Sequence, residues 1–311
     1  MTSPSPDPAT PLGRLGQVAG SVAQVVAPLS VLTALLFYFG YASSRARYLY
    51  FGVDVDTIGL STQDYVMRSP EPLLTPLLVL ALLAVVVAVV HERVRHRVQA
   101  ALADAEDADP QVAASGRHRV ERGSRQARAV VVTGDALLLV GVLLLVGFPS
   151  WGGWAYYPLV TPLLMAAGTG LALYGRRIAR SLRPGQPPSG VVTVVLSVLL
   201  VISVFWATAT FAEWSGRGAA REAARHLDRL PAVILDTTER LHLTSRGVRE
   251  TALEPSEGQT FRYRYRDLRL LVQGEDRVFL VPERWDASNS TLVVPMDDSV
   301  RLQFRFLNDP P

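Results

Sequence analysis

Residues 73–90 read LLTPLLVLALLAVVVAVV, eighteen positions without a charge. A helix needs about 20 such residues to cross the roughly 30 Å hydrocarbon core of a bilayer. Working outward, four further runs of this kind occur at 22–41, 129–148, 155–175 and 191–212. The expectation is therefore a membrane bundle of five transmembrane helices, with extramembrane sequence between and after them. Overall composition would not have indicated it, since 49% hydrophobic residues is close to the value for an ordinary soluble domain. The run at 22–41 is too long for the apolar core of a secretory signal. It also ends in Tyr38, Phe39 and Tyr41, where a cleavage site would need small residues. It reads as a retained span.

Orientation follows from arginine. Segment 91–128 carries Arg93, Arg95, Arg97, Arg117, Arg119, Arg122, Arg125 and Arg128, and the short segment 176–190 carries Arg176, Arg177, Arg180 and Arg183. Both should be cytoplasmic by the positive-inside bias. With five spans, the N-terminus is then cytoplasmic, and the loop at 42–72 and everything after about Trp214 are extracytoplasmic, in a protein of the cell membrane. Trp151, Trp154, Tyr156, Tyr157, Trp206, Phe211 and Trp214 suit the aromatic belt of the outer interface. Residues 1–19 read as a disordered tail, rich in Pro, Ser and Thr at its start. The 91–128 segment reads as a short helix or a linker whose basic side chains anchor at anionic headgroups. Small residues from Ala166 to Gly170 permit close helix approach.

The external loop, YLYFGVDVDTIGLSTQDYVMRSPEP at 48–72, combines turn residues at Gly52 and Asp54 with a capping pair, Ser61 and Asp64, for a short helix ending near Arg68. Residues 216–230 continue the last span as a helix, with Arg217, Arg221, Arg225 and Arg229 on one face and Ala220, Ala223, Ala224 and Leu227 on another. After Pro231 the pattern turns to strands. FRYRYR at 261–266 alternates aromatic with arginine, RVFLVP at 277–282 is apolar, and VRLQFRF at 300–306 places Val300, Leu302, Phe304 and Phe306 on one face. Residues 215–311 should thus hold a helix and a small, mainly-β domain.

Chemistry-bearing motifs are few. The chain has no cysteine, which removes disulfides, thiolate nucleophiles and cysteine-held metals. Asp54, Asp56 and Gly59 resemble a calcium loop, but Ile58 stands at a ligand position and Tyr65 where the closing glutamate belongs, so a surface turn is the better reading. In HERVRH at 91–96 the histidines are five apart, on different helix faces, and cannot share a zinc ion. No nucleophile elbow, P-loop or dinucleotide fingerprint occurs. Neither a cofactor nor a metal is expected, and the chain is read as not an enzyme.

Two sets of residues remain as candidates. Asp135 lies about two turns inside the third span, where an ionised carboxylate must be compensated. His91, Tyr174 and Arg176 lie at similar depth, and Gln24 or Thr133 could donate hydrogen bonds. It is either a relay acid or a structural carboxylate, and a lone acid supplies no relay chain. The second set is an external interaction surface of Tyr50, Asp54, Asp64, Tyr65 and the ladder Arg262, Arg264 and Arg266, with Arg301 and Arg305 on a neighbouring strand. A solvated strand face is the default reading of the ladder, since any half-exposed strand alternates in this way, and the sharper reading is a site for an anionic envelope polymer or lipid headgroups. Residues 213–311 hold 15 arginines against 16 carboxylates, so nucleic acid is not expected as a partner.

YFGVDVDTIGLSTQDYVMRS, FRYRYRDLRLLVQGEDRVFLVPERW and the terminal DDSVRLQF together resemble uncharacterised multi-pass membrane proteins of actinobacteria with a small extracytoplasmic β domain. The absence of lysine agrees with the arginine-rich bias of high-GC bacteria. The resemblance implies architecture and no activity. The expected function is non-enzymatic recognition or scaffolding at the cell envelope, with the bilayer and another envelope membrane protein or an anionic polymer as partners. The alternative is a small transporter or channel component using Asp135.

Overall fold

The computed structural model describes residues 11–148, 153–182, 190–243, 245, 247–254, 258–286 and 288–305. Helix α1 spans Pro11–Leu49, α2 Thr62–Arg68, α3 Pro70–Ala105, α4 Pro110–Val146, α5 Tyr157–Ser181 and α6 Gly190–Arg225. Strands β1 Ala232–Thr237, β2 Arg249–Ala252, β3 Tyr263–Gln273, β4 Arg277–Pro282, β5 Leu292–Pro295 and β6 Val300–Phe304 follow. Helices α3 to α6 are each long and apolar enough to cross a membrane. They coincide with four of the five expected spans. The remaining one, 22–41, lies on α1, whose side chains as far as residue 28 fall outside the description. Helix α1 already begins at Pro11, within the stretch expected to be a disordered tail. Residues 1–10 are outside the described residues, as are Trp151, Arg183 and Phe306.

The chain divides into two compact units, residues 73–211 and residues 1–72 with 212–311. In the first, α3 and α4 run far beyond their apolar stretches. The 36 residues of α3 make a rod of about 54 Å at about 1.5 Å per residue. The expected loop at 91–128 is therefore mostly helix, broken at 106–109, where Asp109 caps α4 by accepting from the Gln111 N–H at 2.8 Å. Arg119 bonds Asp104 across this break at 2.6 Å. Deeper along α4, glycine sets the packing. A methyl group added at Gly134 would lie 2.5 Å from the Ala172 nitrogen, and one at Gly168 would lie 2.5 Å from the Leu138 nitrogen. The α4 and α5 backbones thus touch, as the small-residue run predicts. Tyr157 closes one end of the seam, its hydroxyl donating to the Leu144 carbonyl at 2.6 Å. Leu and Val side chains such as Leu78, Val86 and Leu143 point outward, exposed.

In the second unit the strand order is β5-β4-β3-β1-β6, with β2 on the N-terminal half of β3, and every pairing is antiparallel. One face of the sheet is closed by Val233, Leu235, Tyr265, Leu268, Val278, Leu280 and Val294. The alternate residues of β4 supply the other face. Phe279 packs with Tyr48, Val53, Val55, Ile58 and Tyr65, and Val281 with Phe51, Ala220 and Leu227. A bulge between Leu270 and Val272 lets β3 add both Leu271 and Val272 to this side. The 48–72 stretch is therefore part of the core of this unit. Its partners in the sheet, Val272, Phe279 and Val281, lie more than two hundred positions away in the chain, where no local signal could show them.

The local signals in that stretch hold. Ser61 and Asp64 form a reciprocal capping box, with the Ser61 N–H donating to Asp64 at 2.8 Å. Asp54 caps the 3-10 turn Val55–Thr57 by accepting from the Asp56 N–H, which uses the first acid of the supposed calcium loop as a turn former. Ser69 ends α2, and Pro70 starts α3. Gly274 has no backbone strain to relieve; a methyl group there would lie 2.1 Å from the Ile58 carbonyl oxygen. Its glycine is required by the approach of the loop to the β3–β4 hairpin.

Candidate functional site

Two surfaces of the second unit carry the predicted interaction residues. The first is an open groove of about 670 Å³, lined among others by Tyr50, Phe51, Asp54, Trp285, Asp286 and Asn289. The Phe51 ring lies 5.1 Å from that of Trp285 and is tilted 63° to it. Thr291 donates to the Phe51 carbonyl at 2.6 Å, which ties the β4–β5 connection to the loop. Tyr50 is 42% exposed. Trp285, Asp286 and Asn289 had no distinguishing signal in the sequence, because it is only contact with a loop distant in the chain that makes them a wall.

Two predicted surface residues turn out to be structural. Tyr65 is buried at 5% exposure, its ring 5.4 Å from Phe37 and 5.5 Å from Tyr41. It cannot present an external surface, because its ring packs against Phe37 and Tyr41 of α1. Asp64 is half-buried and committed to the capping box. The hydrogen bonds from the Ser61 hydroxyl and N–H hold its carboxyl below the usual carboxylate range.

The second surface is the arginine ladder. Asp236 is fully buried, and it accepts from Arg264 at 2.7 and 3.0 Å and from Arg301 at 3.1 and 2.6 Å. Register explains this, because Asp236 stands opposite Arg264 on β3 and opposite Arg301 on β6. Burial alone would raise the Asp236 carboxyl; the hydrogen bonds and charges of the two guanidinium groups outweigh it and hold the group low. Arg301 also lies over the Phe261 ring, 4.7 Å from its centre. Arg262 and Arg266, two positions to either side of Arg264, are exposed. Asp236 was not singled out beforehand, although an acid inside the apolar run AVILDT was a readable signal of a buried ion pair.

In the other unit, the Arg176 side chain bonds both Asp135 oxygens at 3.1 Å. The His91 and Tyr174 rings meet separately, 6.0 Å apart. Tyr174 and Arg176 are two residues apart on one helix and so point to different sides. The expected neighbours of Asp135 thus form two distinct pairs.

No family model matches the chain, and no curated relative or solved structure matches it either.

Proposed function

We propose that the 48–72 loop and the sheet form one extracytoplasmic recognition or scaffolding unit, held at the cell envelope by membrane-spanning helices, of which α1 supplies a fifth. This is the architecture of the actinobacterial group that the sequence resembles. The observation that carries the reading is the shared core: Ile58 and Val55 of the loop are as fully buried as Phe279 of the sheet they meet. A loop built into a sheet core has a single conformation, so the side chains it leaves outside, Tyr50 and Asp54, are presented at little further ordering cost.

The transporter reading draws less support. Arg176 neutralises Asp135 within hydrogen-bond distance, which suits a fixed packing contact better than an acid that loads and releases a proton.

The test is photo-crosslinking in cells from a probe replacing Tyr50, followed by mass spectrometry. A crosslink to a separate envelope protein is the expected result. Crosslinks confined to residues 285–293 of the same chain, with none to another molecule, would reduce the loop to a clamp and defeat the reading.

A further inference from the structure

Directly opposed residues of an antiparallel sheet share a face, and so do residues two apart along one strand. Arg264 opposes Asp236, Asp236 opposes Arg301, and Arg266 opposes Arg249. The ladder continues past both strand ends, through the Arg262 N–H to Thr237 and the Arg305 N–H to Ala232, each at 2.9 Å. Arg249, Arg262, Arg264, Arg266, Arg301 and Arg305 therefore lie on one face. Two carboxylates answer them, Asp236 and Asp267, the latter bound by Arg249 at 2.5 Å. Residues 213–311 are near neutral in total, yet this face carries a concentrated positive charge.

Three features set the face apart from an ordinary solvated strand. Arg249 and Arg266 are like charges directly opposite one another, a destabilising arrangement. Arg264 and Arg301 are fixed in place by a buried acid, and Arg262, Arg266 and Arg305 are exposed and make no direct ion pair among the described residues, Arg266 and Arg305 sharing with Arg249 the charge of Asp267. Along β3 the Cα atoms of Arg262, Arg264 and Arg266 repeat at about 6.8 Å, with neighbouring strands about 4.8 Å apart. We propose that this face is a binding site for a linear polyanion of the envelope, a chain of phosphate or carboxylate groups lying along β3.

The order of the array favours a chain over a fluid lipid surface, for which rigid spacing has no value. Nucleic acid is disfavoured by the same register. Tyr263 and Tyr265 point into the opposite, apolar core, where Tyr265 is fully buried, and the Phe261 ring is covered by Arg301, so neither tyrosine of β3 is offered to bases.

The inference deepens the recognition reading and rests on it for location. Full-length protein in zwitterionic nanodiscs would be titrated against labelled medium-chain inorganic polyphosphate by fluorescence anisotropy. Saturable binding is expected, weakened at least tenfold in the Arg262→Ser, Arg266→Ser, Arg305→Ser triple variant. The slope of log affinity against log salt should fall by roughly 0.7 to 0.9 per lost contact. Absence of saturable binding, or equal binding by the triple variant, overturns the proposal. So does arginine-dependent capture on anionic vesicles without polyphosphate binding, which would assign the face to headgroups. If the triple variant does not fold, Arg262→Ser alone must weaken binding while Arg240→Ser, whose arginine pairs with Glu250, leaves it unchanged. A partner crosslinked at Tyr50 with no polyphosphate binding would sink this inference and leave the recognition reading intact.

Discussion

The α4–α5 seam and the loop–sheet core are both tightly packed, and they achieve it by opposite means. Along the seam, backbone meets backbone across Gly134 and Gly168, while the large apolar side chains face outward. In the loop–sheet core, Phe51, Ile58, Tyr65 and Phe279 lie inside, while Tyr50 and Asp54 of the same loop are left exposed. The difference is what two solvents would require. Hydrocarbon gives leucine no reason to hide, so association relies on close contact of small residues. Water drives large apolar groups inward, each contributing about 1.5 to 3 kcal/mol when fully buried.

The comparison breaks first at Gly134. Gly134→Leu forces a side chain into the α5 backbone, and overpacking of this severity should cost roughly 3 to 4 kcal/mol or separate the helices. Loss of thermal stability in detergent, with the near-UV circular dichroism of the sheet unit retained, is the expected result. Unchanged melting would mean the seam is not a packing contact.

Asp236→Ala tests the other unit. It leaves two guanidinium groups facing each other without their acid, at a cost of about 3 kcal/mol, toward the low end for a buried pair because both arginines reach solvent. The wild type should show the matching pH dependence. With the folded carboxyl held low, its contribution is complete above the unfolded value of about 4 and disappears as pH falls through the folded value. Denaturant midpoints measured from pH 6 down to pH 2 should therefore converge between wild type and Asp236→Ala. A constant gap across that range would deny the ion pair its role.

Ser61→Ala carries the smallest effect. It removes one half of the capping box, worth about 1 kcal/mol. Hydrogen exchange should quicken in Thr62–Arg68 and stay unchanged in β4. Acceleration spreading to β4 would show that α2 and the sheet open together, and would sharpen the claim of a common core.

How much of this was legible is best judged residue by residue. The Ser61–Asp64 box and the turn at Asp54 were readable because their partners lie two or three positions away. Arg176 was among the candidates for Asp135 because helical rise converts sequence position into membrane depth. Strands β3, β4 and β6 were visible from alternation or from an apolar run; β2, whose four residues are all exposed, had no pattern to read. Tyr65 was misplaced because an aromatic residue in a polar loop looks like surface until the helix covering it is known.

By itself the sequence determined the apolar helices, the caps and turns, and the alternation of the main strands. These depend on local chain geometry and on how each side chain partitions between water and hydrocarbon. Only the tertiary structure decided that the 48–72 loop completes the sheet core, and that Asp236, Arg264 and Arg301 meet. Those residues are 28 and 65 positions apart, and a strand register slipped by one residue would send every side chain to the other face. Which register wins is settled by the burial of both faces at once, an energy that belongs to the assembled sheet and to no single segment of it.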